Sequence, residues 1–311
     1  MHGILYTDIS IENTRTNGMK QLLLILNPTA GQKKAARHLA GIISVFNRAA
    51  YDTHVYVTAE RGDAVQAVRE FGNHMDLLVC CGGDGTLNET VTGVMECGLE
   101  IPIGYIPAGS TNDFAGSLHL AVDMLEAAGQ IVNGTPTAYD IGKWGDRYFT
   151  YIASFGAFTK ASYNTPQNIK NALGHMAYVL EGIQELSGIR AEHIRLEING
   201  EVLEDDYLFG AICNSTSVGG ILTLNPAYVD LSDGKFEILL VRAPRDLQEL
   251  HECVVALTNQ TYNCGMITFR SADVLQFYGN PKMAWSLDGE KAEGSSQIRI
   301  TNLQKRIVLM H

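Results

Sequence analysis

The chain reads as an α/β N-terminal domain on a doubly wound parallel sheet, followed by a C-terminal β-sandwich domain with inserted helices. Three observations predict this. From Lys20 to about Asn133 apolar runs alternate with helical stretches, the connections between them are short and contain glycine, and around Asp140 the pattern changes to short, alternating or aromatic-rich segments. Repeated strand–helix units make a parallel sheet covered on both faces, whereas period-two alternation marks strands with one face on a core.

Lys20–Leu26 (KQLLLIL) is a continuous apolar run, as a strand buried on both faces requires. A helix is expected from near Lys33, with Leu39, Ile42, Ile43 and Phe46 on one face. His54–Thr58 reads as the second strand and Ala64–Phe71 as the next helix. Asp76–Cys81 (DLLVCC) is the third strand, with a helix starting near Thr86 and running through Thr90–Met95. Ile101–Ile106 is the fourth, followed by helical segments around Asn112–Leu118 and Val122–Ile131. Ligands of such sheets bind at the carboxyl ends of the strands.

In the second domain Asp140–Lys143, Tyr148–Ser154, His193–Ile198, Tyr207–Cys213, Phe236–Val241, Met266–Arg270, Val274–Tyr278 and Gln297–Thr301 read as strands. Asn199-Gly200 is the signature of a tight hairpin. Ile169–Leu186 and Leu247–Asn259 read as inserted helices. The domains are expected at residues 19–138 and 139–303, with about 304–311 packing back on the first. Their short join, near Gly134–Asp140, implies a cleft between rigidly connected units. Residues 1–18 form a polar extension of unknown role, with no apolar core of a signal peptide.

Of the 311 residues 46% are apolar and 18% charged, a folded composition long enough for two cores. The 34 acidic and 23 basic side chains give a net charge of −11, so no nucleic acid is expected as a partner. A phosphorylated small molecule needs only a local cluster of donors and stays admissible. Cys80, Cys81, Cys97, Cys213, Cys253 and Cys264 show no C-x-x-C spacing and read as buried, reduced thiols, with Cys80 and Cys81 on opposite strand faces. The nine histidines show no metal-ligand spacing. No apolar run reaches the ~18 residues of a membrane span, and a cytoplasmic location is expected.

The strongest local signal is Gly82-Gly83-Asp84-Gly85-Thr86, directly after a buried strand and before a helix. Its glycines allow close backbone approach and φ > 0, and the helix N-terminus points free N–H groups at an anion such as a phosphate. Asp84 could orient a magnesium-bound phosphate or a hydroxyl. Asn27-Pro28-Thr29-Ala30-Gly31 ends the first strand in the same manner, and Pro107-Ala108-Gly109-Ser110-Thr111-Asn112-Asp113-Phe114 follows the fourth. Three polar, glycine-bearing loops at three strand ends make one nucleotide pocket. The sequence contains neither the GxxxxGK[ST] phosphate loop nor GxGxxG after its first strand, so the pocket is of another kind.

In order and spacing, NPTAG, GGDGT followed by Leu87-Asn88-Glu89, and PAGSTNDF resemble the diacylglycerol kinase catalytic-domain family, which includes sphingosine and ceramide kinases. Tyr139-Asp140-Ile141-Gly142, Leu231-Ser232-Asp233-Gly234 and Leu287-Asp288-Gly289-Glu290 extend the resemblance over nearly everything from Met19 onward. GGDGT alone is less specific, since it also resembles NAD kinases.

The resemblance implies ATP contacts at Asn27, Pro28, Thr29, Ala30, Gly31, Thr58, Gly83, Asp84, Gly85, Thr86, Leu87, Asn88, Glu89 and Ser110. It implies a structural Mg2+ on the Asp233 carboxylate and the carbonyls of Asp230 and Lys235, with Asp140 linking that ion to the active site. It implies Glu290 as general base, with Asp288 orienting it or exchanging roles; Asp84, the remaining carboxylate in the glycine loop, is the catalytic candidate should this pair not be the base. Gln32 stands where the family commonly has lysine, and Lys33 is one place on. The implied reaction moves the ATP γ-phosphoryl group to a lipid hydroxyl, most simply diacylglycerol, with peripheral and transient membrane contact and a homodimer left open. A kinase for a soluble acceptor and a non-catalytic nucleotide-binding protein are the alternatives. Met176, Tyr178, Val179 and Leu180 on the first inserted helix are read as a core face.

Overall fold

The structure, a computed structural model, describes residues 18–156, 191–219 and 222–311, with the side chains of residues 32–34 and 247 also outside the description. The extension, the helix expected at Ile169–Leu186 with its Met176–Leu180 face, and the side chains of Gln32 and Lys33 therefore lie outside the described residues.

In the N-terminal part the chain alternates β1 (Lys20–Leu26), α1 (Ala30–Arg48), β2 (Tyr51–Val57), α2 (Asp63–Phe71), β3 (Leu77–Gly82), α3 (Asp84–Cys97) and β4 (Pro102–Pro107), then α4 (Asp113–Ser117) and α5 (Met124–Asn133). The sheet order is β4-β3-β1-β2, with every neighbouring pair parallel. Since β1 pairs with both β2 and β3, the winding reverses between β1 and β3, which is where such a sheet opens a crevice for a ligand. Period two divides the strands between two cores. Leu23, Ile25, Leu78 and Cys80 pack with Val68, Leu87 and Val91 of α2 and α3; Leu22, Leu24, Val79 and Cys81 pack with Ile42, Phe46 and Ala127 of α1 and α5. The adjacent cysteines thus face opposite cores, as the sequence predicts.

The C-terminal part comprises β5 (Pro136–Trp144), β6 (Arg147–Phe149), β7 (Ile152–Gly156), β8 (Glu192–Ile198), β9 (Glu201–Cys213), β10 (Ser217–Val218), β11 (Leu222–Thr223), β12 (Phe236–Arg242), α6 (Leu247–Thr258), β13 (Ile267–Ala272), β14 (Val274–Tyr278), β15 (Ala284–Leu287), β16 (Glu290–Glu293) and β17 (Gln297–Met310). It closes over Trp144, Phe149, Phe155, Phe236, Phe277 and Trp285. The two parts share one hydrogen-bonded path. Residues 297–301 of β17 pair antiparallel with β14, while Val308, Leu309 and Met310 pair parallel with Pro102, Ile103 and Gly104 of β4. β5 runs antiparallel beside most of β17, across a register shift between Leu303 and Ile307.

Several boundaries differ from expectation for identifiable reasons. β2 starts at Tyr51 because Lys20 and Gln21 continue the ladder to Tyr51 and Asp52. The segment Tyr148–Ser154 is two strands, because the N–H groups of Thr150, Tyr151 and Ile152 turn from the ladder to the Asp288 carboxylate. The terminal strand runs to Met310 rather than Thr301, since its far end finds a second partner in β4. All six cysteines are free thiols, but Cys97, at the end of α3, is exposed and Cys264 is only half-buried. No helix among the described residues is long and apolar enough to cross a membrane.

Candidate active site

The three glycine-bearing loops meet at the β1/β3 crevice. Asn27 donates its backbone N–H to the Cys81 carbonyl at 2.9 Å and its side-chain amide to Thr86 Oγ1 at 3.1 Å. Its Oδ1 accepts the N–H of Thr29 at 3.0 Å and the Thr29 hydroxyl at 2.8 Å, which folds the first loop over itself. The Ala108 N–H donates to the Gly82 carbonyl at 2.7 Å, tying the third loop to the second. Asn112 closes that third loop, accepting the Gly109 N–H at 2.8 Å and donating to the Gly109 carbonyl at 3.0 Å.

Glycine is required here by proximity more than by unusual dihedrals. Gly31 has φ +53° and abuts the Ala108 carbonyl, but Gly83 and Gly85 are not among the positive-φ residues, contrary to the sequence-based expectation for this loop. A Cβ on Gly83 would lie 3.2 Å from Gly109 Cα, and one on Gly85 would lie 3.2 Å from Glu290 Oε1. Helix α3 also starts at Asp84, two residues before the expected Thr86, with Gly83 in extended backbone as its N-cap.

Asp84 accepts the backbone N–H groups of Asp113 at 3.2 Å and Phe114 at 3.4 Å. Burial in the cleft, then the neighbouring Asp113 charge, push its pKa up to about 7, against the pull of those two donors. Asp113 itself accepts from the Ser217 hydroxyl at 2.6 Å and the Tyr151 hydroxyl at 3.3 Å, so both hydroxyls come from the C-terminal part. Asp113 lies within PAGSTNDF, and the Asn-Asp pair opening a helix is the sequence signal for this role.

Across the cleft, the β15–β16 turn carries Asp288 and Glu290. Asp288 has φ +49° and Gly289 +84°, so this is a tight left-handed turn. The Asp288 side chain points inward. Its Oδ2 accepts from the Thr150 N–H (2.6 Å), the Thr150 hydroxyl (2.8 Å) and the Asn88 amide (2.7 Å), while Oδ1 accepts the N–H groups of Tyr151 (3.0 Å) and Ile152 (3.1 Å). Burial raises its pKa, while its backbone donors and the Thr150 hydroxyl act in the opposite direction. Glu290 lies at the cleft surface, with Oε1 beside Gly85 and Oε2 ion-paired to Arg61. Burial raises its pKa and Arg61 opposes the rise. Arg61 carries no local signal in the sequence, because its partner Glu290 lies 229 residues further along the chain.

The remaining sequence candidates lie around these loops. Leu87 is wholly buried, and its N–H donates to the Gly83 carbonyl. Asn88 braces the two parts by donating to the Tyr148 carbonyl at 3.1 Å as well as to Asp288. Glu89 accepts the N–H groups of Gly62 and Ala64 at the start of α2. Thr58 is buried and donates its N–H to the Leu26 carbonyl at 2.9 Å, which holds β2 to the first loop. Ser110 is exposed at the mouth, and Pro28 and Ala30 line the first loop half-buried.

In the turn at residues 230–235, Asp233 Oδ1 accepts the Lys235 N–H at 2.8 Å and Asp230 Oδ1 accepts from Ser232. Asp140 joins this turn to β17: its Oδ2 accepts the Gly234 N–H and its Oδ1 the Lys305 N–H, each at 2.7 Å. Glu237 is buried behind the turn with one oxygen unpartnered among the described residues, and burial together with the charge of Asp233 pushes its pKa up to about 8. Asn302 Oδ1 is likewise buried and unpartnered, while its amide donates to the Lys235 carbonyl at 3.0 Å.

Glycine loops at the ends of parallel strands, faced across a cleft by carboxylates of a β-sandwich, define the protein as a kinase, a phosphotransferase with an alcohol acceptor. Residues 21–144 match the family described as the diacylglycerol kinase catalytic domain, and residues 153–301 match the YegS C-terminal NAD kinase beta sandwich-like domain. The chain belongs to the diacylglycerol kinase family. It is similar to the diacylglycerol kinase of Bacillus subtilis strain 168, 33% identical over 274 residues covering 88% of this chain and 90% of that protein. It is also similar to the diacylglycerol kinase of Staphylococcus aureus strain bovine RF122 / ET3-1, 31% identical over 289 residues covering 93% and 91%. A crystal structure of a diacylglycerol kinase from Bacillus anthracis strain Sterne has the same fold, with a TM-score of 0.73 over 94% of this chain and 97% of that one at 22% identity.

Proposed function

We propose that the protein transfers the γ-phosphoryl group of ATP to the hydroxyl of diacylglycerol or a related glycerolipid, with Glu290 as the general base. The observation that carries this reading is the approach of Glu290 Oε1 to Gly85, which sets a carboxylate from the β-sandwich directly over the phosphate-binding loop. The first, second and third loops cradle the nucleotide through Asn27–Gly31, Gly83–Thr86 and Ser110. Glu290 takes the proton as the acceptor oxygen attacks phosphorus, the γ-phosphoryl bond to ADP breaks, and the developing charge is met by loop N–H groups at the start of α3. Asp288 holds the turn that aims Glu290 and has no free oxygen facing the cleft, which favours positioning over an exchange of roles. Asp84 supports the third loop.

Magnesium enters in two places in this reading. Bound with ATP, it supplies charge neutralisation of the phosphates. A second, structural ion suits the 230–235 turn, where the charges of Asp233, Asp230 and Asp140 all act on Glu237 and, among the described residues, two buried oxygens, Glu237 Oε2 and Asn302 Oδ1, have no partner. Among the described residues no group of three or more His, Cys, Asp or Glu side chains forms a metal cluster. The ion would therefore rest on the Asp233 carboxylate, the carbonyls of Asp230 and Lys235, and water, all hard oxygen donors. A long-chain acceptor implies peripheral and transient contact with a membrane surface from the cytoplasm; a homodimer is compatible. Domain limits of 19–138 and 139–303, with the end of β17 returned to the first, fit this division of labour.

The test is Glu290→Gln assayed with labelled ATP against a panel of lipids in mixed micelles and against soluble acceptors. Loss of general-base catalysis is worth about 10²–10⁴ in rate, so kcat should fall at least ~100-fold while ATP affinity stays within about threefold. Near-parental kcat with chemistry rate-limiting would remove Glu290 from this role, and turnover of a soluble acceptor without micelles would displace the lipid.

A further inference from the structure

Arg61 reaches Glu290 from the other side of the cleft. Its guanidinium, on the loop between β2 and α2, pairs with Glu290 Oε2 and leaves Oε1 turned toward Gly85. That loop is built rather than slack. Asp63 Oδ2 accepts the N–H groups of Ala59 at 2.6 Å and Glu60 at 3.0 Å, and Gly62 takes φ +91° between them and the helix. Glu89 then accepts the Gly62 N–H at 2.9 Å and the Ala64 N–H at 3.3 Å. Glu89 belongs to α3, the helix that opens at the phosphate loop, so Arg61 is referenced to the same element that holds the phosphates. The pair spans both halves of the molecule, which a surface ion pair along one helix does not.

We infer that Arg61 is a positioning residue for phosphoryl transfer: paired to one oxygen of Glu290, it directs the other at the phosphate loop and keeps the carboxylate ionised as the cleft fills. The inference rests on Glu290 acting as the base. Among the described residues the charged groups that act on Glu290 are Arg61 from the β2–α2 loop, Glu89 from α3, Arg147 at the start of β6 and Asp288 from its own turn. Burial favours the protonated acid, Glu89 and Asp288 add to that, and Arg61 is the first of the two cations that oppose it. The Arg61 side chain is 65% exposed, and water screens the pair. Nucleotide and lipid exclude that water, and the same charges then interact more strongly.

The sign of the effect separates this role from a structural one. Without Arg61 the Glu290 pKa rises, so the acid limb of kcat moves to higher pH and activity is lost mostly on the acid side. A loosened scaffold would lower kcat by one factor at every pH. The experiment measures kcat and KM for ATP against pH on the full chain, with diacylglycerol in mixed micelles, for the parent, R61A, R61K, E290Q and the control R69A, whose arginine on α2 pairs at the surface with Glu96 of α3. The expected result is an acid limb displaced upward by about half a pH unit in R61A, from the usual strength of a partly exposed pair. R61K, which keeps the charge, should restore most of the limb; R69A should leave it unmoved; and KM for ATP should stay within about threefold in all. An unmoved limb in R61A beside a crippled E290Q overturns the role of Arg61 and leaves the base standing. A tenfold rise in KM for ATP with an unmoved limb also overturns it, making Arg61 a nucleotide contact. Full activity in E290Q overturns both readings.

Discussion

A methyl group on Gly109 should weaken nucleotide binding without unfolding the protein. A Cβ built there lies 2.6 Å from Gly83 Cα and 2.7 Å from Asn112 Oδ1, the atom that closes the third loop. Carbon atoms in contact sit at about 3.5–4.0 Å, so the second and third loops must part by roughly 1 Å. The nearest obstacle is backbone, which no side-chain rotation can relieve. Overpacking of this kind costs about 1–3 kcal/mol. Drawn from the nucleotide pocket, that corresponds to roughly a 5- to 150-fold rise in the ATP dissociation constant. The control is Gly116→Ala in the adjoining α4, where a Cβ meets nothing within 4 Å among the described residues. Calorimetric titration with ATP, beside thermal unfolding in its absence, measures both terms. A folded Gly109→Ala protein that binds ATP within twofold of the parent would show that the pocket does not lie between these loops.

Asp288→Asn should destabilise the fold by about 2–4 kcal/mol in urea titration, because the new amide must face at least two backbone or amide donors whichever way it turns; parental stability would contradict the described donor set. Asp84 titrates at about 7 against an ordinary value of 3.8, so its contribution to stability is full below about pH 4 and is lost as pH rises through about 7. Asp84→Asn should accordingly gain stability relative to the parent between about pH 5 and pH 8 without nucleotide, and a pH-independent difference would argue against the raised value. Magnesium alone should raise the melting temperature of the parent and not of Asp233→Ala, since an ion at 100 times its dissociation constant stabilises by about 2.7 kcal/mol. Equal shifts in the two proteins would move the structural ion away from the 230–235 turn.

How much of this was legible in the sequence depended on whether a residue's role is local. β1 and β3 could be read because burial on both faces demands an unbroken apolar run, and Leu22–Leu26 and Leu77–Cys81 are such runs. The glycine loops could be read because close backbone approach leaves glycine in the sequence wherever it occurs. Roles set by a distant partner could not be read. Nothing near Asp288 announces that its acceptors serve Thr150, Tyr151 and Ile152, and so the break between β6 and β7 was missed as well. The resemblance implies that Asn88, Glu89 and Thr58 touch the nucleotide, but nothing local in the sequence says that Asn88 also reaches the opposing part, Glu89 the start of α2 and Thr58 the end of β1. Arg61 needed Glu290, far along the chain, before it meant anything.

The shared strand has a consequence for how the protein comes to be folded. β4 is covered on its outer edge by Val308, Leu309 and Met310, so the parallel sheet that binds the nucleotide is finished by residues that emerge long after the rest of it. Pairings of such separation form slowly, because a large loop must close before any bond is gained. Until then β4 presents unpaired N–H and C=O groups, the kind of edge that recruits strands from other chains. Refolding yield should therefore fall steeply with protein concentration, and a chain cut before Ile307 should aggregate even though each of its glycine loops is complete.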